Sequence, residues 1–188
     1  MLSRPCTRST RAGYTIIELM VVATILVIAV GGLSSSLVSA IDLGNTNGEL
    51  IEAHNAARQM AETLQGVDFD EIFATFNDEP RDDPDGPGTA LGSDFVYPCE
   101  LLKDGDPPGF FDGRVIFPNA EGTTLVEQVV DPKLGLPMDL DGDGSIDGRA
   151  VDHAGDYLIL PVTIEVTWTG SGGRERSLER HLLLYDQD

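Results

Sequence analysis

The stretch Arg11-Ala12-Gly13-Tyr14-Thr15-Ile16-Ile17-Glu18-Leu19-Met20-Val21-Val22, running on as ATILVIAVGGL to Leu33, decides the fold of this chain. From Ile16 to Leu33 it is apolar, with Glu18 as its one charge. A helix from Tyr14 to Leu33 has 20 residues. At 1.5 Å per residue it is about 30 Å long, the thickness of a bilayer's hydrocarbon core. Arg4, Arg8 and Arg11 precede it and no basic residue follows until Arg58. That asymmetry predicts a cytoplasmic N-terminus. An ordinary secretory signal is the competing reading, and it would be cut after its apolar core, where SSSLVSA (34–40) offers small residues.

Glu18 separates the two readings. A carboxylate within hydrocarbon costs about 2.5–3.5 kcal/mol on insertion scales, so it points to function and needs a cationic partner. The segment supplies none. An α-amino group freed at Tyr14 would be one; it is too near to serve easily within its own helix but well placed in a neighbouring chain. The order of glycine, aromatic ring, three intervening residues, glutamate and unbroken apolar helix resembles the prepilin cleavage and methylation motif of type IV pilin-like proteins. The resemblance implies a prepilin peptidase/methyltransferase that cuts after Gly13 and N-methylates Tyr14. It also implies that Glu18 pairs with the adjacent subunit's amino terminus during assembly. Tyr14 stands where phenylalanine is usual; it keeps the ring and adds a hydroxyl.

Removing residues 1–13 takes three of the 12 basic residues and none of the 32 acidic ones, so the net charge moves from −20 to −23. Such a surface repels phosphate backbones, and nucleic-acid partners are not expected. It suits cations, calcium among them. Of the two cysteines, Cys6 belongs to the expected leader, leaving Cys99 as a single thiol without a disulfide. Cys6 precedes the apolar stretch, whereas a lipid-attached cysteine follows one. Cys99 reads as a partly buried small apolar residue.

Beyond the span, Gly44-Asn45-Thr46-Asn47-Gly48 is a poor stretch for a helix, and a bend is expected there or at Gly31-Gly32. Thr46 with Glu49 has the form of a capping box from which a helix restarts. Leu50, Ala53, Ala57, Met60, Ala61 and Leu64 then form an apolar stripe of helical period, with Glu49, Glu52, Arg58, Glu62 and Gln65 off it and Gly66 at the end. Residues 77–93 (NDEPRDDPDGPGTALGS) read as a solvated connector. Strands are expected at Phe95–Tyr97, Arg114–Phe117, Thr123–Val130, Leu160–Thr169 and Ser177–Tyr185. Val162, Ile164, Val166 and Trp168 share one face, and Gly170-Ser171-Gly172-Gly173 turns the last two strands into a hairpin. The expected fold class is α+β and pilin-like: a long N-terminal transmembrane and core helix packed on a small antiparallel β-sheet domain. Its parts are a leader (1–13), a transmembrane half-helix (14–40), a soluble half-helix (41–66) and a β-rich domain (67–188). The terminal hairpin also resembles the end of minor pilins and minor pseudopilins.

Asp139-Leu140-Asp141-Gly142-Asp143-Gly144-Ser145-Ile146-Asp147 is the second informative stretch. Alternate aspartates at 139, 141 and 143 aim carboxylates at one point when the loop curls. Gly144 permits the turn, Ser145 adds its backbone carbonyl, and Asp147 completes the ring. Hard oxygen donors suit Ca²⁺. An EF-hand is rejected because Ala150 holds the twelfth position and Pro132 and Pro137 interrupt any preceding helix. Asp152 and Asp156 are candidate outer ligands, and a solvated acidic turn is the plain alternative. His54, His153 and His181 are scattered and accompany no catalytic motif; His153 beside the aspartates is the nearest approach to a zinc centre.

The expected function is structural, not enzymatic: a minor pilin or pseudopilin of a type IV pilus or type II secretion pseudopilus. The expected partners are the prepilin peptidase, other pilin or pseudopilin subunits, an inner-membrane assembly platform and membrane lipid. The soluble domain is expected in the periplasm, on a single-pass inner-membrane anchor. A membrane-anchored calcium-binding surface protein, or a calcium-dependent hydrolase that never polymerises, is the alternative. N-terminal sequencing of the mature protein should find methyl-tyrosine at 14; a start between 35 and 45 would identify an ordinary signal.

Overall fold

A computed structural model describes residues 15–99, 109–170 and 173–186. Gly13 and Tyr14, with the whole leader, lie outside them. The chain divides into two compact units, residues 1–44 and 45–188. The long helix α1 spans Ile16–Leu64. Its N-terminal portion contains an 18-residue window of mean hydropathy 2.6 with no buried residue, long and apolar enough to cross a membrane.

No interruption occurs at Gly31-Gly32 or at 44–48; α1 is helical through both. The hydroxyls that make residues 34–39 look polar are turned back on the helix itself. Ser34, Ser35, Ser36 and Ser39 each donate to the carbonyl four residues earlier, at 2.9–3.1 Å. A hydroxyl satisfied this way does not compete with helical hydrogen bonding in an apolar medium. At 44–48 the expected restart is replaced by tertiary support. Thr46 Oγ1 accepts from Arg176 Nη2 at 3.1 Å instead of capping a new helix.

In the second unit, α1 is followed by a 3₁₀ turn (Phe69–Glu71) and a short helix α2 (Ile72–Phe76). The strands are β1 (Asp94–Cys99), β2 (Gly109–Ile116), β3 (Ala120–Glu121), β4 (Thr124–Leu125), β5 (Ile159–Thr169) and β6 (Glu175–Tyr185). β1-β2-β5-β6 form one antiparallel sheet in that order, and β3 with β4 makes a separate two-stranded ribbon. The long apolar helix and four-stranded antiparallel sheet match the expected α+β pilin-like fold. β5 and β6 pair from Ile159↔Tyr185 to Thr169↔Glu175, the hairpin read from the sequence. In the register of β1 with β2, Phe95 lies opposite Gly113, and its ring covers the glycine so closely that a Cβ there would stand 2.1 Å from it.

The expected strand Thr123–Val130 shrinks to two residues. Glu127 turns inward, where both its oxygens accept backbone amides, and Val130 is 77% exposed. These demands pull the segment out of any ladder.

The core joins Ala53, Ala56, Ala57, Met60, Ala61 and Leu64 of α1 to Val162, Ile164, Val166 and Trp168 of β5, with Phe73, Phe76 and Phe111 filling the flanks. Two positions of the stripe are corrected. Leu50 is 40% exposed, and Glu49, expected on the wet side, is 1% exposed. Its Oε2 accepts from Trp168 Nε1 at 3.2 Å and lies 3.4 Å from Arg176 Nη1. Period alone places Glu49 beside Ala53 and Ala56, because residues three, four and seven apart share a face; its charge argued for solvent, and the partners on the hairpin overrule that. Gly170 admits the carboxylate, since a Cβ at this position would lie 2.7 Å from Oε2.

Replacing Glu49 with Ala takes the acceptor from the buried Trp168 indole N–H and the carboxylate from the half-buried Arg176 guanidinium, and should cost about 2–4 kcal/mol. Urea unfolding of the full chain in detergent, read from the emission of Trp168, measures this; Glu49→Gln, which keeps an acceptor, should cost less.

Candidate functional site

Two regions carry the residues singled out from the sequence. The first is the start of α1. Thr15 caps it, its Oγ1 accepting from the Glu18 amide at 3.3 Å while its carbonyl accepts from Leu19 N at 3.1 Å. Glu18 thus falls in the first helical turn, where the helix dipole favours a negative charge. Its side chain is exposed and, among the described residues, has neither a hydrogen-bond nor an ion-pair partner. Ile16, Ile17 and Leu19 around it are exposed as well.

The second region is the acidic loop between β4 and β5. Leu140 anchors it. The side chain is fully buried in the core, and its carbonyl accepts from Leu158 N at 2.7 Å and Ile159 N at 3.1 Å, tying the loop to the start of β5. With Leu140 fixed inward, Asp139 and Asp141 flank it on the more accessible side. Asp139 closes the turn: Oδ1 accepts from Gly142 N at 2.6 Å and Oδ2 from Gly144 N at 2.7 Å. Gly142 and Gly144 have φ of +77° and +93°, a region that disfavours side chains. Asp141 Oδ1 accepts from Asp143 N at 3.0 Å, and Asp143 Oδ1 from the amide and hydroxyl of Ser145 at 2.8 and 2.7 Å.

Asp139, Asp141 and Asp143 each bring one oxygen within 4.8 Å of the other two. A small hard cation fits such a set, because the amide hydrogen bonds orient the carboxylates while leaving lone pairs free. Asp147 stands apart from that trio, its Oδ2 3.9 Å from His153 Nε2. Of the two suggested outer ligands, Asp152 Oδ1 accepts from Leu125 N and Ala154 N, both at 3.0 Å, while Asp156 Oδ1 lies 3.3 Å from His153 Nδ1. His181 is on β6 beside Thr163 and Glu179, and His54 is on α1; neither is near the loop's carboxylate groups.

Sequence reasoning missed Glu127. It is 1% exposed, and its Oε1 accepts from Leu140 N at 2.5 Å while Oε2 accepts from Asp147 N at 2.6 Å. One carboxylate therefore clasps the loop at both ends. A lone glutamate in the apolar run Leu125-Val126-Glu127-Gln128-Val129-Val130 was the available signal.

The electrostatics follow from these contacts. The Gly144 amide, followed by that of Gly142, holds the Asp139 carboxyl below its ordinary value despite desolvation. For Asp141 the Asp143 amide pulls downward, but desolvation and the neighbouring Asp139 and Asp143 outweigh it and the carboxyl is raised. Asp139 therefore stabilises the loop at neutral pH and loses that contribution as pH falls through its folded pKa. Asp141 works in reverse, since ionising it costs stability as pH rises through its range.

Residues 8–34 match the model for the prokaryotic N-terminal methylation motif, the type IV pilin signature. No curated relative and no solved structure matches the chain. The motif, with the apolar helix and antiparallel sheet behind it, supports a pilin-like family for this chain, with processing by a prepilin peptidase, membrane anchoring and assembly with other pilin subunits.

Gly144→Ala forces a side chain into a left-handed turn and should destabilise the second unit by about 1 kcal/mol or more. Gly148→Ala, where φ is not positive and the space is open, is the matched control and should be near neutral in the same denaturant titration.

Proposed function

We propose that the chain is a minor pilin or pseudopilin, a structural subunit of a type IV pilus or type II secretion pseudopilus. The observation that carries this reading is Glu18, a carboxylate with no partner among the described residues, in the first turn of a membrane-length helix within the methylation motif. Cleavage after Gly13 creates an α-amino group at Tyr14. In a filament, Glu18 of one subunit takes the amino terminus of the next as its counter-charge. The exposed apolar surface of the helix then passes from lipid to neighbouring helices without entering water. Before assembly the same helix holds the subunit in the inner membrane, with residues 45–188 on the periplasmic side. The expected contacts are other pilin or pseudopilin subunits, the assembly platform and membrane lipid, and the role is structural, not enzymatic.

In the same reading, the Asp139, Asp141 and Asp143 carboxylates, with the Ser145 carbonyl, hold Ca²⁺, and Asp147, which stands apart beside His153, reaches it through water. The ion would neutralise a cluster of negative charge and order a loop in a domain that lacks a disulfide. Calcium requires only oxygen donors, which the loop supplies.

Glu18→Ala tests the assembly role. The variant should be cleaved and retained in the membrane yet fail to enter sheared filaments or cross-linked subunit ladders, a loss of at least tenfold. Normal incorporation would favour a membrane-anchored monomer.

A further inference from the structure

His153 is a buried side chain in the second unit whose polar atoms the fold leaves unused. Its side chain is 2% exposed, and among the described residues neither ring nitrogen has a hydrogen-bond partner. Its backbone is fixed, the amide donating to Leu125 O at 2.9 Å. Four carboxylates surround the ring: Asp156 Oδ1 and Asp141 Oδ2 lie 3.3 and 3.7 Å from Nδ1, and Glu127 Oε1 and Asp147 Oδ2 each lie 3.9 Å from Nε2.

A protonated imidazole acting as the counter-ion would draw these oxygens to about 2.7–2.9 Å, the length of a charge-assisted hydrogen bond. None comes so close. The Asp141 and Glu127 oxygens, 3.7 Å from Nδ1 and 3.9 Å from Nε2, lie beyond a hydrogen bond and slightly wider than the roughly 3.4 Å between tetrahedral ligands whose bonds are about 2.0–2.2 Å, so a shared ion on one ring nitrogen would draw the set inward. Glu127, Asp141 and His153 each bring one donor atom within 4.8 Å of the others. The Glu127 carboxylate is already oriented by the Leu140 and Asp147 amides, the kind of outer support that metal ligands take. An imidazole nitrogen among carboxylates selects a borderline first-row ion over Ca²⁺ or Mg²⁺, which take oxygen alone.

We propose that His153, Glu127 and Asp141 form a binding site for a transition-metal divalent cation, Zn²⁺ in the first instance, with Asp147 and Asp156 at its margin. The ion joins three separate stretches of chain, the segment after β4, the acidic loop and the approach to β5, and so acts as a structural staple. This site does not rest on the filament reading. It shares Asp141, and Asp147 at its margin, with the proposed calcium loop, but Asp143 belongs only to the calcium set and His153 only to this one.

The test uses the full chain, without a histidine tag, in detergent and stripped by chelator, with Zn²⁺, Co²⁺ or Ca²⁺ added singly. One Co²⁺ per chain should bind with visible d–d absorption and be displaced by Zn²⁺, and Zn²⁺ should raise Tm by several degrees. His153→Gln should weaken Zn²⁺ binding at least tenfold and abolish the Co²⁺ bands. Asp141→Asn, at a more accessible position, should weaken binding comparably if the histidine variant does not fold. Asp143→Ala should lose any Ca²⁺ response while keeping Zn²⁺, and His54→Gln should bind Zn²⁺ normally. Binding of Ca²⁺ alone, no saturable Zn²⁺ or Co²⁺ binding, or undiminished binding by His153→Gln or Asp141→Asn would overturn the proposal.

Discussion

The second unit depends on covering one apolar face of the β5–β6 hairpin. Val162, Ile164, Val166 and Trp168 alternate onto that face, and no neighbouring strand can shield a face; only another layer can. The last third of α1 is that layer. Glu49 fixes where the cover sits, since its carboxylate must meet the Trp168 indole and the Arg176 guanidinium together. Apolar contacts supply most of the stabilisation, but they are tolerant of sliding. A buried charge with two specific donors is not, which gives helix and hairpin a fixed register.

A similar economy operates in the acidic loop. With Cys99 buried and unpaired, no covalent link restrains the stretch between β4 and β5. Leu140 is instead sunk into the core, and Glu127 receives amides from both ends of the loop. Holding the backbone through carboxylates concentrates negative charge in one place, and an acidic surface of −20 overall offers little relief. The polypeptide fixes the loop's shape, and among the described residues no lysine or arginine pairs with Asp139, Asp141, Asp143 or Asp147, which is the condition in which a bound cation contributes most.

Much of this was legible in the sequence because it rests on period and composition. The apolar run 16–33, the stripe Ala53–Leu64 and the alternation Val162–Trp168 each bury or expose one face, and the hairpin turn is written in glycines. What escaped the reading depended on residues distant in the chain. Glu49 looked like a solvated charge because Arg176 and Trp168 lie far along the sequence. The stretch 44–48 looked like a break because helix propensity is a local quantity, whereas Thr46 is held by the hairpin. Glu127 hid in an apolar run, and His153 looked isolated until folding set it among carboxylates that span residues 127–156.

The inner face of α1 over the sheet is built largely from Ala53, Ala56, Ala57 and Ala61, side chains with almost no length. Over this part of the contact the helix meets the sheet through methyl groups, with the longer Met60 and Leu64 filling its far end. Such a joint has little compliance. An added branch or ring has no rotamer into which to retreat and would act as a wedge, prying the layers apart along their whole contact.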